Sequence, residues 1–280
     1  RQIGIDYWPG PVSMVDASVD EETCAQYDQM FEMTREMVDE FLAWWNSNNR
    51  TEEFPNYVIP DEILNWPAHG DITKGQSFYL APFVDNDGDG TYDPTQGDYP
   101  YYDIDNSLCR TQTPTMDAQY YYPDDPDNWK FGILADQVIK GDQTLWWVFN
   151  DKGNVHTETD GAAIGMEIRA QAFGFSTNDE INNMTFYSYE IINRSTFSLT
   201  QTYFSQWVDT DLGYAWDDYV GCDVFRGLGY CYNGFPVDGS GEIEAYGEQP
   251  PAIGVDFFQG PYMDPDGTDN PKYTFVTNAQ

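Results

Sequence analysis

Basic residues are scarce in this chain. Twelve Lys and Arg stand against 48 Asp and Glu, which leaves a formal charge of −36 over 280 residues. Phosphate binding needs a basic face, so nucleic acid is excluded as a natural partner, and anionic membrane surfaces are disfavoured for the same reason. Histidine is scarcer still. His69 and His156 are the only two, and neither has a second His or a Cys at zinc-ligand spacing. Four cysteines, Cys24, Cys109, Cys222 and Cys231, are too few for a disulfide scaffold. They fit either free buried thiols or two bridges, with Cys222 and Cys231 facing each other across a hairpin and Cys24 left to pair with Cys109. No run of about 20 apolar residues occurs, so nothing reads as a membrane-spanning helix and direct membrane insertion is not expected. Gly-x-Ser-x-Gly, His-Glu-x-x-His and a phosphate-binding glycine loop are missing as well. His156-Thr157-Glu158 has the residue types of a proton relay, but a lone His near a turn is more often structural. Glycoside cleavage needs only two carboxylates at the right separation, and 48 acids leave that chemistry open. The expectation is a protein without catalytic activity.

Aromatic residues are abundant, at 17%, within a hydrophobic fraction of 40%. A chain of this length and composition buries a real core, and half-buried rings favour strands. The charge works against compactness through self-repulsion unless cations or salt relieve it. Bound calcium or a saline habitat would do so.

The sharpest motif is Asp85-Asn86-Asp87-Gly88-Asp89-Gly90-Thr91-Tyr92-Asp93. Ca2+ takes 6–8 oxygen ligands, and a loop wrapping it presents side chains from alternate residues. Asp85, Asp87 and Asp89 fill the first, third and fifth positions, Gly90 supplies the turn, Thr91 offers its carbonyl and Asp93 takes the ninth. Gln96 stands at the twelfth position in place of the bidentate Glu of a sensor loop, and no strong helical pattern leads in. The spacing therefore predicts a structural calcium loop of the dockerin or thrombospondin-repeat kind. Asp98 is placed to complete the same cage or to form a neighbouring one. A second cation is expected at Asp209, Asp211 and one of Asp217 and Asp218, and a third at Asp264, Asp266 and Asp269. Carboxylate and carbonyl oxygens suit Ca2+ over softer metals.

Asp20 is a plausible N-cap for a helix running to about Trp45, whose apolar face is Tyr27, Phe31, Thr34, Val38, Phe41, Leu42 and Trp45. A short helical turn is predicted at Asp61–Asn65. From about 131 the pattern turns to β. Thr144–Phe149, Ala163–Phe175, Met184–Ile192 and its partner Leu199–Val208 read as strands, followed by a hairpin of Tyr219–Val224 with Leu228–Tyr232. The expected fold is mainly β with an N-terminal helix, an antiparallel, jelly-roll-like β-sandwich with calcium-binding loops. Its expected segments are a helical and irregular one at 1–80, an aspartate-rich one at 81–130 and a β-sandwich at 131–280, either separate or joined in a single compact domain.

Several blocks together resemble large secreted proteins of the Bacteroidota. They are Gly141-Asp142-Gln143-Thr144-Leu145-Trp146-Trp147-Val148-Phe149-Asn150-Asp151 with His156-Thr157-Glu158, Asn182-Asn183-Met184-Thr185-Phe186, Gln206-Trp207-Val208-Asp209, Asp218-Tyr219-Val220-Gly221-Cys222-Asp223 and Gly254-Val255-Asp256-Phe257-Phe258-Gln259-Gly260-Pro261. The resemblance covers most of residues 1–262. It implies export through the outer membrane by the type IX route and a place on the outer cell surface or in the medium. Partners would be other surface proteins or glycans, or further copies in a homo-oligomer or filament. The chain opens on Arg1 and shows no C-terminal sorting domain, so it is expected to be part of a longer precursor. Three roles follow as expectations: a calcium-stabilised structural or adhesion module, a glycan-binding or glycan-cleaving domain, and a subunit of an extracellular filament or layer.

Overall fold

The computed structural model describes residues 6–102, 138–157, 160–239, 241 and 243–258. The third expected cation group, Asp264, Asp266 and Asp269, lies outside them, as does Cys109. The chain divides into two compact units, Arg1–Ser198 and Leu199–Gln280. That division runs through 131–280, the span expected to hold the sandwich.

In the first unit the helical pattern is real but interrupted. Asp20 caps α1 (Glu21–Tyr27), accepting the Thr23 N–H at 2.8 Å, and Glu21 and Glu22 occupy the first turn where the helix dipole favours them. The expected single helix then breaks. Phe31–Thr34 forms strand β2, paired antiparallel with Gln143–Trp146. Thr34 ends that strand and caps α2 (Arg35–Asn46) through its Oγ1, which accepts the Met37 N–H at 3.2 Å. Two single-turn helices follow, α3 (Arg50–Glu53) and α4 (Asp61–Leu64).

The main sheet is antiparallel, in the order β1 (Trp8–Pro9), β5 (Gln143–Asn150), β6 (Met166–Gly174), β7 (Phe186–Asn193). Strand β2 also pairs with β5, so two short strands share one edge of β5. Period-2 alternation in β5 sends Thr144, Trp146, Val148 and Asn150 to the buried face and leaves Leu145, Trp147 and Phe149 half-buried on the other. Trp146 meets Phe31 and Trp66 at ring centroid distances of 6.0 and 6.1 Å. The core on this face adds Met33, Val38, Phe41, Ile63, Leu80, Phe83 and Tyr102. Burying a side chain such as Phe41 fully contributes about 1.5–3 kcal/mol. Helices, the 66–81 segment and a small ladder of β3 (Phe83–Val84) with β4 (Tyr99–Pro100) supply this cover, where the sandwich expectation asked for a second full sheet.

The same face carries ions. Glu167 is fully buried; its Oε1 accepts from Arg169 Nε at 3.0 Å and from Arg194 at 3.3 Å, and its Oε2 takes the Val12 N–H at 3.1 Å. A buried carboxylate persists only where its oxygens are filled in this way.

The second unit holds a three-stranded antiparallel sheet in the order β12 (Ala252–Asp256), β9 (Leu228–Asn233), β8 (Asp218–Asp223), and a two-stranded pair, β10 (Val237–Asp238) with β11 (Gly247–Glu248). The predicted hairpin is present. Its register sets Cys222 opposite Gly229 and Cys231 opposite Val220, so the two thiols are offset by two residues and both are free. Cys24 is free as well. Leu199–Val208, the expected partner of β7, forms no strand, and all of it beyond the half-buried Leu199 is exposed.

Candidate metal centre

The aspartate motif is the loop of the β3–β4 ladder. Val84 pairs with Tyr99, and residues 85–98 pass between them. Asp85 organises the loop from within: Oδ1 accepts the Gly88 N–H at 2.7 Å and Oδ2 the Gly90 N–H at 2.8 Å. Those bonds require left-handed turns, at φ of 79° for Gly88 and 83° for Gly90, where glycine is unstrained. Asp87 accepts the Asp89 N–H at 3.2 Å, and Asp89 accepts the Thr91 N–H at 2.7 Å. Carboxylate oxygens of Asp85, Asp87 and Asp89 consequently lie within 4.8 Å of one another. Three like charges that close repel, and a hard divalent cation among them reverses the sign of the interaction.

The remaining predicted ligands have other engagements. Asp93 caps the short 3₁₀ turn Pro94–Gln96, its Oδ1 accepting the Thr95 N–H at 2.9 Å and the Thr95 hydroxyl at 2.7 Å. Asp98 is fully buried under the loop and ties its two ends together. Oδ1 accepts the Asn86 N–H at 2.7 Å and Oδ2 the Asp93 N–H at 2.8 Å. Burial pushes the Asp98 carboxyl above its ordinary value, the two N–H bonds pull it down, and the charges of Asp85 and Asp87 push it up again. A cation among the three aspartates would cancel that last contribution.

Tyr92 pins the loop to the core. Its hydroxyl donates to the Ile63 carbonyl at 2.7 Å, its ring meets Phe83 edge-on at 5.4 Å, and its N–H donates to His69 Nε2 at 2.8 Å. A backbone N–H can only donate, so Nε2 is bare; Nδ1 carries the proton and donates to the Phe78 carbonyl at 2.9 Å. Burial lowers the pKa of His69, against the Phe78 bond and the attraction of Asp89. The sequence marks His69 only as a lone histidine; its part in holding the loop comes from the fold. The other, His156, meets the Asp151 carbonyl through Nε2 at 2.7 Å, and Glu158 lies outside the described residues.

Compared with known proteins, the chain matches no family model, no curated protein and no solved structure. Its chemistry therefore rests on its own residues.

At the second expected cation site the acids part company. Asp209 and Asp211 are exposed, while Asp217 and Asp218 turn inward at the start of β8. There Asp217 Oδ2 accepts the N–H of Gly239, next to Asp238, which is 1% exposed and which spacing along the chain did not single out.

A groove opens on the first unit where β1 and β2 leave a gap along β5. It has a volume of about 500 Å³ and is walled by Trp8, Tyr27, Met30, Trp147 and Phe149, with Asp28 and Gln29 beside them. No described helix is long and apolar enough to cross a membrane.

Proposed function

We propose that this protein is a calcium-stabilised structural or adhesion module that works outside the cell. The observation that carries the reading is the Asp85, Asp87 and Asp89 group held on a loop braced from below by Asp98. Oxygen-only ligands on a glycine-turned loop suit Ca2+, and the missing Glu at the twelfth position suits a structural site over a sensor. Sites of extracellular modules bind in the range of about 10⁻⁴–10⁻³ M, which fits calcium outside cells. The −36 charge is consistent with a fold that relies on cations. Export by the type IX route belongs to the same proposal, supported by the sequence resemblance. Antiparallel sheets suffice for it, and a jelly-roll sandwich is not required.

At about 2 mM calcium, a site of that affinity stabilises its unit by about 0.6–1.8 kcal/mol. For a unit of this size that corresponds to about 1–7 °C in melting temperature. Scanning calorimetry of the chelator-stripped protein with and without calcium should show the shift, and Asp87→Asn with Asp89→Asn should reduce it by this amount. Identical melting of metal-free and calcium-loaded protein refutes the proposal.

A second reading is favoured by the groove. Aromatic walls beside one carboxylate and one amide are the makings of a site for a neutral glycan, on which rings stack and polar groups select.

A further inference from the structure

The two histidines of the chain make opposite use of Nε2. In His156 it lies 2.7 Å from the Asp151 carbonyl, which can only accept, so Nε2 carries the proton there. A further proton adds at Nδ1 and leaves that bond in place. In His69 the partner of Nε2 is the Tyr92 N–H at 2.8 Å, which can only donate, so the bond exists only while Nε2 is bare. The other ring nitrogen of His69 is already used, since Nδ1 donates to the Phe78 carbonyl at 2.9 Å. A proton arriving at His69 therefore has one place to go, and it is the nitrogen that holds Tyr92.

Turning the ring gives no escape. The imidazole stacks on Phe78 at 4.0 Å and 19°, stands edge-on to Phe83 at 5.2 Å, and belongs to a residue whose backbone bridges that of Tyr79. A flipped ring would set a carbon against the Tyr92 N–H and give up the Phe78 bond, so no orientation of a protonated imidazole accepts that N–H. The titratable groups around His69 come from three sides. Tyr79 lies 5.9 Å from the ring on the 66–81 segment, the Tyr27 hydroxyl of α1 donates to the His69 carbonyl at 3.5 Å, and the aspartate loop brings Tyr92 and Asp89. Burial, the largest influence, disfavours a proton on His69, the Phe78 bond and Asp89 favour it, and the balance leaves its pKa below the ordinary 6.5.

We propose that His69 is an acid-operated latch: protonation of Nε2 expels the Tyr92 N–H and releases the 85–98 loop from the 66–81 segment. A half-buried donor left facing another donor is costly, and local opening of the loop lets water satisfy both. The folded state holds the His69 proton more weakly than the unfolded chain does. The stability contributed by the latch is therefore full above about pH 6.5 and is lost as pH falls below it. The device needs no cation in the loop, so it stands apart from the calcium reading.

The test is amide hydrogen exchange of the full chain in excess chelator, at about pH 7.5 and about pH 5, on either side of the histidine range. Corrected for the intrinsic pH dependence of exchange, protection of the Tyr92 amide should fall about tenfold or more on acidification. His69→Gln, which offers Tyr92 a side-chain oxygen that does not titrate, should keep its protection at both pH values. Asp98 also titrates beneath the loop, but it is common to both proteins, so the difference between them belongs to His69. Equal protection at the two pH values in the wild type, or the same loss in His69→Gln, overturns the latch. Where His69→Gln does not fold, the wild type alone serves, with the ring nitrogen shifts of His69 followed by NMR: Tyr92 protection should be lost at the midpoint of the His69 titration. A His69 that takes up its proton while the Tyr92 amide stays protected overturns the proposal as well.

Discussion

Replacing Asp98 by Asn separates the brace beneath the aspartate loop from the three carboxylates above it. The substitution keeps the side chain's shape and takes away one acceptor and the charge. The carboxamide oxygen can still receive one of the two N–H groups, Asn86 or Asp93, which now bond at 2.7 and 2.8 Å. The amide nitrogen then faces the other N–H, and a buried donor left without a partner costs about 1–3 kcal/mol. Removing a charge that Asp85 and Asp87 repel offsets part of that cost in the metal-free protein. With calcium bound the offset is gone, so the loss should be larger in calcium than in chelator. The pH dependence has a definite sign. In the metal-free wild type, the Asp98 carboxyl is shifted upward from its ordinary 3.8, so the folded state binds the proton more tightly than the unfolded state. The stability it contributes is present below the unfolded pKa and is lost as pH rises through the folded one. Asp98→Asn should abolish that slope. Urea unfolding across this range, with hydrogen exchange at the Asn86 and Asp93 amides as the local readout, measures both effects. Unchanged exchange at both amides and equal losses with and without calcium would refute the brace.

Two further outcomes follow from the first unit. Glu167→Gln should destabilise the protein by about 3–5 kcal/mol, because it removes the buried carboxylate that Arg169 and Arg194 share, while Glu190 stays 3.9 Å from Arg169; a loss below about 1 kcal/mol in urea unfolding would show the Glu167 charge to be dispensable. For the groove, neutral oligosaccharides on an array should bind the wild type, and Trp147→Ala should reduce binding at least tenfold with the melting curve little changed; an array on which the wild type binds nothing discards the glycan reading.

What the sequence announces is what local geometry decides. Asp20 as a cap, the α4 turn, the grouping of Asp85, Asp87 and Asp89 and the alternation of β5 each depend on residues within a few positions, and each is visible in the pattern. The break between α1 and α2 is invisible because Tyr27, Phe31, Thr34 and Val38 keep helical spacing through it. Pairing with β5 decides that stretch, and in strand form Met33 reaches the core with no exposure. Pairing gained along a neighbouring strand outweighs the small helix propensity of four residues. Leu199–Val208 shows the reverse: its strand-like composition meets no partner, and composition alone makes no ladder.

The expected cation groups differ in the same way. In the Asp85–Asp89 loop the acids follow one another at every second residue, and local turns bring their carboxylate oxygens within 4.8 Å of one another. In the group of Asp209, Asp211 and one of Asp217 and Asp218 the fold decides the surroundings: Asp209 and Asp211 are exposed, while Asp217 and Asp218 are half-buried at the start of β8. There Asp218 stands opposite Asn233 through the register of a hairpin, a neighbour that spacing along the chain does not announce. Excess acid is visible in a sequence at once, while the company each acid keeps is a property of the folded sheet.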